Sequence, residues 1–198
     1  MMLLAPRQAR VSYWPLLGLA ASLLASPLQA GLDETPIDPS RTHIQFHVAA
    51  IGWPLTKGSF SSFSGKIVVD LKRPEASSVV FRVAARSIDV GSPSFDDYLR
   101  GDAFFDVARY PDITFVSNRV EKLDAHNARV SGDLTLRGVT RPFTVDVALE
   151  GAGDGASRLR FRATGTVHRL EFGMNAGFPA ISNDVDLIIS TEAEADAT

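Results

Sequence analysis

Residues 96–117 read DDYLRGDAFFDVARYPDITFVS, and residues 132–150 read GDLTLRGVTRPFTVDVALE. The first stretch predicts one short helical segment that leads into a strand. The second predicts two strands joined by a short turn at Arg137-Gly138-Val139-Thr140. Strands that carry one apolar and one polar face are typical of antiparallel sheets. These two stretches therefore favour a β fold in which helix is the exception.

Alternation of apolar and polar residues continues along most of the chain, whereas helical periodicity is nearly absent. The runs 43–48 and 185–189 are two clear examples. Residues 57–71 predict one long strand that bends within 61–65, because glycine inside a strand pattern is typical of bulges and barrel corners. Counted in this way, the chain forms about eight strands.

The segment 94–101 departs from the β pattern. Ser94 is expected to cap a short helical segment there, and Gly101 is expected to end it. Eight antiparallel strands with one apolar face each must bury that face inside a closed barrel or between two sheets. The alternation pattern by itself leaves both architectures open.

The order of these motifs resembles the YceI-like family of periplasmic, polyisoprenoid-binding, lipocalin-like proteins. The resemblance extends over about residues 38–193 and implies an all-β fold: an eight-stranded antiparallel lipocalin-like β-barrel with a short helical segment near residues 94–101. It also implies that residues 31–198 form one lipid-binding barrel domain. Besides the two stretches quoted above, the matching segments are GSFSSFSG at 58–65, SIDV at 87–90, RLEFGM at 169–174 and NDVDLIISTE at 183–192.

The resemblance further implies that the barrel interior is a tunnel for a long isoprenoid chain. Phenylalanines on inward faces are the candidates to line it, although such residues more commonly just form a core. Arg169 is the first candidate for the polar head group, because a guanidinium can donate paired hydrogen bonds to a phosphate or quinone oxygen. Tyr98 and Arg100 are further candidates, with capping and surface pairing as their alternative roles. The aromatic candidates are Phe46, Phe60, Phe63, Phe81, Phe115, Phe143, Phe161 and Phe172.

This sequence contains few residue patterns that are typical of catalysis or metal binding. His43 and His47 share a strand face but lie about 13 Å apart at the usual strand rise, too far to share one ion, and the chain has no Cys. The acidic cluster at 96–106 is interleaved with arginines, which indicates paired surface charges. A net charge of −3 offers no basic surface for nucleic acid. We expect no catalytic residue, no metal, no cofactor beyond a bound isoprenoid lipid, and no nucleic-acid partner.

Residues 1–30 are predicted to be a secretory signal peptide. Arg7 and Arg10 precede an apolar run over 11–24, and Ser26-Pro27-Leu28-Gln29-Ala30 follows with a small residue at the predicted cleavage site. The run is shorter than the roughly 20 residues that a membrane-spanning helix needs, which disfavours an anchor. We therefore expect cleavage after Ala30 and a periplasmic location.

Together these features favour a protein that binds and sequesters or transports a long-chain polyisoprenoid lipid in the bacterial periplasm and that is not an enzyme. The lipid classes expected are an isoprenoid quinone, a quinone precursor or a polyprenyl phosphate. Two alternatives stay open. An envelope stress-response structural or interaction protein would have a filled barrel, and an enzyme acting on an isoprenoid head group would have converging acid, base or metal groups at the barrel mouth. A homodimer and transient contact with inner-membrane proteins are compatible with all three hypotheses.

Protein recovered from the periplasm is expected to have the mass of a chain that begins at Gly31, because cleavage is predicted after the small residue Ala30. Intact-mass spectrometry of the periplasmic fraction measures this directly. A membrane-embedded product that retains residues 1–30 would contradict the prediction.

Overall fold

The computed structural model describes residues 35–52, 54–152 and 158–194. The predicted signal peptide, residues 1–30, lies outside the described residues. Within the described ranges the protein is mostly β, with one α-helix and three short 3-10 helices. The predicted all-β, lipocalin-like fold is therefore confirmed.

The elements follow one another in a strand-rich order. The helices are α1 (Pro93–Arg100) and the 3-10 helices Pro74–Ala76, Ala85–Ser87 and Arg169–Phe172. The strands are β1 (Thr35–Pro36), β2 (His43–Ala50), β3 (Thr56–Phe60), β4 (Phe63–Val68), β5 (Ser78–Ala84), β6 (Ile88–Asp89), β7 (Asp112–Lys122), β8 (Asn127–Leu136), β9 (Val139–Ala152), β10 (Arg158–His168) and β11 (Ile181–Glu194).

All strands belong to one antiparallel sheet whose order is β1-β4-β5-β7-β8-β9-β10-β11-β2-β3-β6. The strands β3 and β4 follow each other in the chain but lie near opposite ends of this order. β3 pairs with β2, whereas β4 pairs with β5. The sheet therefore curls until its two ends meet on the two halves of one bent strand.

The bend between β3 and β4 changes which residues face inward. Gly58 and Phe60 are buried before the bend, whereas Phe63 and Ile67 lie on the partly buried side after it. Successive side chains in a strand point to opposite faces, so a shift from even to odd positions requires an irregularity. The exposed pair Ser61-Ser62 provides it, at the start of the predicted 61–65 interval.

The strand count differs from the expected eight in an instructive way. β3 and β4 are the two halves of the predicted bent strand, and counting them once leaves eight long strands. The remaining two, β1 and β6, are two-residue strands that pair with β4 and β3. Such short pairings leave no alternation to detect, so the sequence pattern could not indicate them.

The helical segment forms as predicted, but its first residue was misplaced. Ser92, not Ser94, occupies the N-cap position, and its side chain makes no capping hydrogen bond. Gly101 ends the helix, as expected. In the acidic cluster, Asp97 pairs with Arg100 and Asp106 with Arg109, as expected. Asp96 differs, since it is buried and its Oδ1 accepts a hydrogen bond from the Val90 N–H at 2.8 Å. Asp96 thus fastens α1 to the segment that precedes it.

Arg137 ties together three segments at one end of the barrel. From the β8–β9 turn it donates hydrogen bonds to the carbonyl oxygens of Gly173 at 2.8 Å and Asp102 at 3.1 Å. The backbone N–H of Ile51, in the β2–β3 turn, donates to the Ala180 carbonyl at 2.8 Å at the same end. We call this the α1 end, and the end formed by the β4–β5 and β7–β8 connections the opposite end.

Gly132 lets β7 and β8 approach closely on the inner face. A Cβ at this position would lie 2.3 Å from the Val116 carbonyl oxygen and 2.7 Å from the Ser117 Cα. The β7–β8 register shifts beside it, between Ser117 and Arg119. Since the obstructing atoms are backbone atoms, the strands would have to move apart to accept a side chain.

Gly132→Ala is expected to lower the free energy of unfolding by about 1–3 kcal/mol, because the added methyl group overpacks a site bounded by backbone. The neighbouring exposed Asp133→Ala is the matched control and should change it by about 0.5 kcal/mol or less. Urea denaturation of both variants measures the difference. Equal stability of the two variants would show that β7 and β8 separate at little cost.

Candidate functional site

The barrel encloses a cavity of about 1040 Å³. Its wall includes residues from the α1 end, such as Leu55 and Phe95, and residues from the opposite end, such as Leu71 and His126. The cavity therefore runs through the barrel from one end to the other. An eight-stranded barrel is just wide enough either to be filled by its own side chains or to hold a ligand, and this one is not filled.

The inward faces of the strands make the wall of the cavity predominantly apolar. Aromatic rings meet edge to face across the middle, where the Phe115 and Phe143 centroids lie 6.1 Å apart at an interplanar angle of 90°. Phe46 and Phe60 pack with their centroids 5.6 Å apart. Six of the eight aromatic residues predicted from the sequence line the cavity: Phe46, Phe60, Phe81, Phe115, Phe143 and Phe161.

Two predicted aromatic residues lie in the core beside the cavity instead. Phe63 packs against Phe81, with ring centroids 6.4 Å apart. Phe172 is buried with Leu134 and Met174 in a second cluster. Both positions follow the apolar pattern of their segments, which cannot distinguish a side chain that lines a cavity from one that packs behind the wall.

Tyr98 and Arg100 lie on α1 outside the described cavity wall. The Tyr98 ring is about half exposed and packs against Phe95 and Phe104, with centroids 6.1 Å and 5.2 Å away. Arg100 donates hydrogen bonds to the carbonyl oxygens of Arg86 and Ile88, both at 2.9 Å, and pairs with Asp97. These contacts hold α1 in place, which is the alternative role that the sequence left open.

Arg169 is buried, with 3% of its surface exposed, and its side chain reaches the cavity wall. It donates hydrogen bonds to the carbonyl oxygens of Ser182 at 2.7 Å, Ile181 at 2.8 Å, Ala176 at 2.9 Å and Met174. Burial lowers the pKa of Arg169 below its usual value. The N–H groups of this guanidinium thus organise the segment between β10 and β11, and a contact with a ligand head group stays a prediction.

The sequence pattern did not predict the part of the cavity wall that is formed by α1 and the residues directly after it. Phe95, Phe104 and Phe105 all line the α1 end of the cavity, and the Phe60 and Phe105 rings meet edge to face at 5.9 Å. Residues 101–106 have no regular alternation, so no periodicity marked them as inward-facing. Phe95 and Leu99, four residues apart on one helix face, were the one available signal.

The opposite end of the cavity carries polar groups at its mouth. Asp124 accepts hydrogen bonds from the backbone N–H groups of His126 and Asn127, and the bond from His126 contributes most to holding its pKa below the usual value. Asp70 accepts from the backbone N–H groups of Arg73 and Lys72, the first of which contributes most to lowering its pKa. Both carboxylates thus shape the turns of their own segments.

Among the described residues, neither a metal-binding cluster nor a membrane-spanning helix is found. Among residues 35–52, 54–152 and 158–194, no group of three or more His, Asp or Glu side chains is placed to hold a metal ion. In the same part of the chain, no helix has both the length and the apolar character that crossing a membrane requires.

An antiparallel barrel that closes on a bent strand around a through-running apolar cavity is a lipocalin-like fold. A family model described as the YceI-like domain matches residues 36–193. The Escherichia coli O157:H7 protein YceI is 36% identical over 183 residues, which cover 89% of this chain and 95% of that protein. The chain belongs to the YceI-like family, as the order of its sequence motifs indicated.

Solved structures support the same fold at lower sequence identity. Burkholderia cenocepacia BcnA matches with a TM-score of 0.73 at 22% identity, over 79% of this chain and 99% of that one. A polyisoprenoid-binding domain from Saccharophagus degradans, implicated in plant cell wall breakdown, matches with a TM-score of 0.62 at 18% identity, over 81% of this chain and 97% of that one. At these identities the likeness establishes the fold alone.

Arg169→Ala is expected to lower the free energy of unfolding by at least about 3 kcal/mol, because several buried carbonyl oxygens lose a charged donor worth roughly 1.5–3 kcal/mol each. Arg141→Ala, which removes an exposed arginine from β9, is the matched control and should cost about 0.5 kcal/mol or less. Urea denaturation at neutral pH distinguishes the two. If both variants unfold at the same urea concentration, Arg169 does not organise the segment before β11.

Proposed function

We propose that this protein binds and sequesters or transports a long-chain polyisoprenoid lipid in the bacterial periplasm. An isoprenoid quinone, a quinone precursor and a polyprenyl phosphate are the lipid classes that fit. The observation that carries the proposal is the apolar cavity of about 1040 Å³ that runs the length of the barrel. Membership of a family with a polyisoprenoid-binding structural relative supports the choice of ligand class.

The volume of the cavity matches a long tail. At about 30 Å³ per heavy atom, the volume that a water molecule takes in the liquid, the cavity accommodates on the order of 35 atoms. A tail of about seven isoprene units would therefore fill it. Each buried methylene-sized unit contributes ~0.8 kcal/mol, whereas a net hydrogen bond contributes ~1 kcal/mol. Tail length should consequently dominate affinity, and the head group should set preference.

The two alternative functions have less support from the site. A purely structural barrel needs no interior space, yet the described strands leave a through-running cavity. An enzyme would need converging acid and base groups, whereas Asp70 and Asp124 at the opposite end are engaged by backbone N–H groups of their own turns. The site is thus better suited to holding a lipid than to transforming it.

The periplasmic location rests on the layout of residues 1–30 alone, with Arg7 and Arg10 before an apolar run and the small residue Ala30 at the predicted cleavage site. Export would place the protein in the aqueous space between two membranes, which a long isoprenoid lipid could cross only in a carrier. A homodimer and transient contacts with inner-membrane proteins remain expectations of the same proposal.

Phe115→Arg is expected to abolish copurified lipid, because it places a charge in the middle of the apolar cavity, where an unpaired charge is costly to bury beside a tail. Val116→Arg is the matched control, since Val116 is the next residue on β7 and is 48% exposed on the outer face. Native mass spectrometry of protein purified from its own envelope measures the bound lipid and its mass. The unmodified protein and the Val116→Arg variant should carry the same polyisoprenoid.

Circular dichroism must show that the Phe115→Arg variant keeps its β fold. Ala163→Phe provides a second test without any charge, because Ala163 lines the cavity and a ring there takes up the space of the tail. Folded variants that still carry the same lipid would refute the proposal. So would an unmodified protein that leaves its native envelope with no lipid.

A further inference from the structure

Three large apolar side chains stand exposed together at the α1 end of the barrel. Ile51 is 76% exposed, Leu55 is 50% exposed and Phe178 is 54% exposed. The hydrogen bond from the Ile51 N–H to the Ala180 carbonyl brings the β2–β3 turn and the segment that holds Phe178 side by side. We call these three residues the apolar rim. Large apolar side chains that gather on an exposed surface commonly mark a site of contact.

The apolar rim is continuous with the cavity wall. Leu55 belongs to both, since it is half exposed and also lines the cavity, and its neighbour Pro54 does the same. Ile181 lines the cavity directly after the segment that carries Phe178. An apolar tail that enters from this side would therefore stay in contact with apolar surface from the rim to the interior.

The two segments that supply the apolar rim carry no negative charge, although Asp97 and Asp102 are exposed elsewhere at the α1 end. Segments 50–57 and 173–181, which supply the apolar rim, contain no Asp or Glu in a chain that has 23 acidic residues. The one charged side chain in the two segments is that of Lys57, which is exposed and lines the cavity. A cation beside exposed apolar groups suits a surface that is apolar within and anionic outside, such as a bilayer with anionic lipids.

The opposite end of the barrel differs in this respect. Leu71 and Leu123 are exposed there too, but Leu71 is followed by Lys72 and Arg73, and Leu123 lies between Lys122 and Asp124. Each of these leucines lies between an acidic and a basic residue in the chain, whereas Ile51 and Phe178 have no charged residue within two positions. The two ends of the cavity are therefore unequal, and the α1 end is the one suited to a lipid surface.

We infer that the apolar rim docks on the interfacial region of a lipid bilayer, so that an isoprenoid tail passes between the membrane and the cavity without entering water. This inference rests on the proposed function, because it supplies the route by which the proposed ligand would enter. The rim places Ile51, Leu55 and Phe178 among the lipid head groups and acyl chains, and Lys57 faces the anionic lipid phosphates.

Flotation of the protein purified from the periplasm, whose chain is expected to begin at Gly31, with vesicles of phosphatidylethanolamine and phosphatidylglycerol tests the docking. Ile51→Glu and Phe178→Glu should each weaken partitioning onto the vesicles by about tenfold, because each removes a large apolar side chain from the contact and adds a repelled charge. Leu123→Glu is the matched control, since Leu123 is 51% exposed at the opposite end. It should float as the unmodified protein does.

Binding of farnesol, added without vesicles, separates this inference from the proposed function. All three variants should bind farnesol as the unmodified protein does, because the cavity wall is unchanged, and this also reports an intact barrel. An unmodified protein that binds farnesol but never floats overturns the docking, as does an equal loss of flotation with Leu123→Glu. Sedimentation that shows Ile51→Glu dissociating a dimer, with flotation unchanged, would assign the rim to a second copy instead. Flotation that depends on the rim in a protein that binds no isoprenoid would support the docking and reject the proposed function.

Discussion

The structure depends on one strand that serves both edges of the sheet. β3 pairs with β2 and β4 pairs with β5, so the single chain segment from Thr56 to Val68 satisfies backbone groups at both ends of the strand order. Unpaired strand edges are a liability because they expose rows of hydrogen-bonding groups. Bending at Ser61-Ser62 turns the curled sheet into a barrel, and the two-residue strands β1 and β6 pair with the remaining sides of β4 and β3. The cavity follows from this closure, since eight strands enclose more space than these side chains occupy.

Several polar side chains of this barrel hydrogen-bond to the irregular segments that lie at its α1 end. Arg137 donates to carbonyls on two separate segments, and Arg169 donates to four carbonyls in and beside the segment between β10 and β11. Asp96 and Arg100 fasten α1 in the same way. Irregular segments can thus border the α1 end without placing unpaired carbonyls or N–H groups next to an apolar interior, where each would be costly.

The sequence predicted the features that depend on local pattern. Alternation is a property of each strand taken alone, so it identified the inward faces and six aromatic residues that line the cavity. The bend was predicted within 61–65, but it lies at Ser61-Ser62, whereas Gly65 pairs regularly within β4. The role of Arg169 could not be predicted, because its acceptors lie 5 to 13 residues away in an irregular segment. Phe63 and Phe172 show a second limit, since alternation marks a buried face but not the empty volume in front of it. Whether a barrel is filled or hollow depends on the summed fit of all its side chains.

Binding a long tail in such a cavity creates a problem of release. About 35 buried carbons at ~0.8 kcal/mol each give gross burial on the order of 28 kcal/mol, which exceeds the ceiling of ~18 to 21 kcal/mol for non-covalent affinity. Ordering of the flexible tail must offset much of this sum. The binding free energy that remains after this offset would still make dissociation into water very slow, because the whole tail would become exposed. A path along Leu55 and the rest of the apolar rim changes that cost, since each carbon that leaves the cavity meets apolar surface again. A barrel with one apolar mouth and one charged mouth can therefore combine tight retention in water with exchange at a lipid surface.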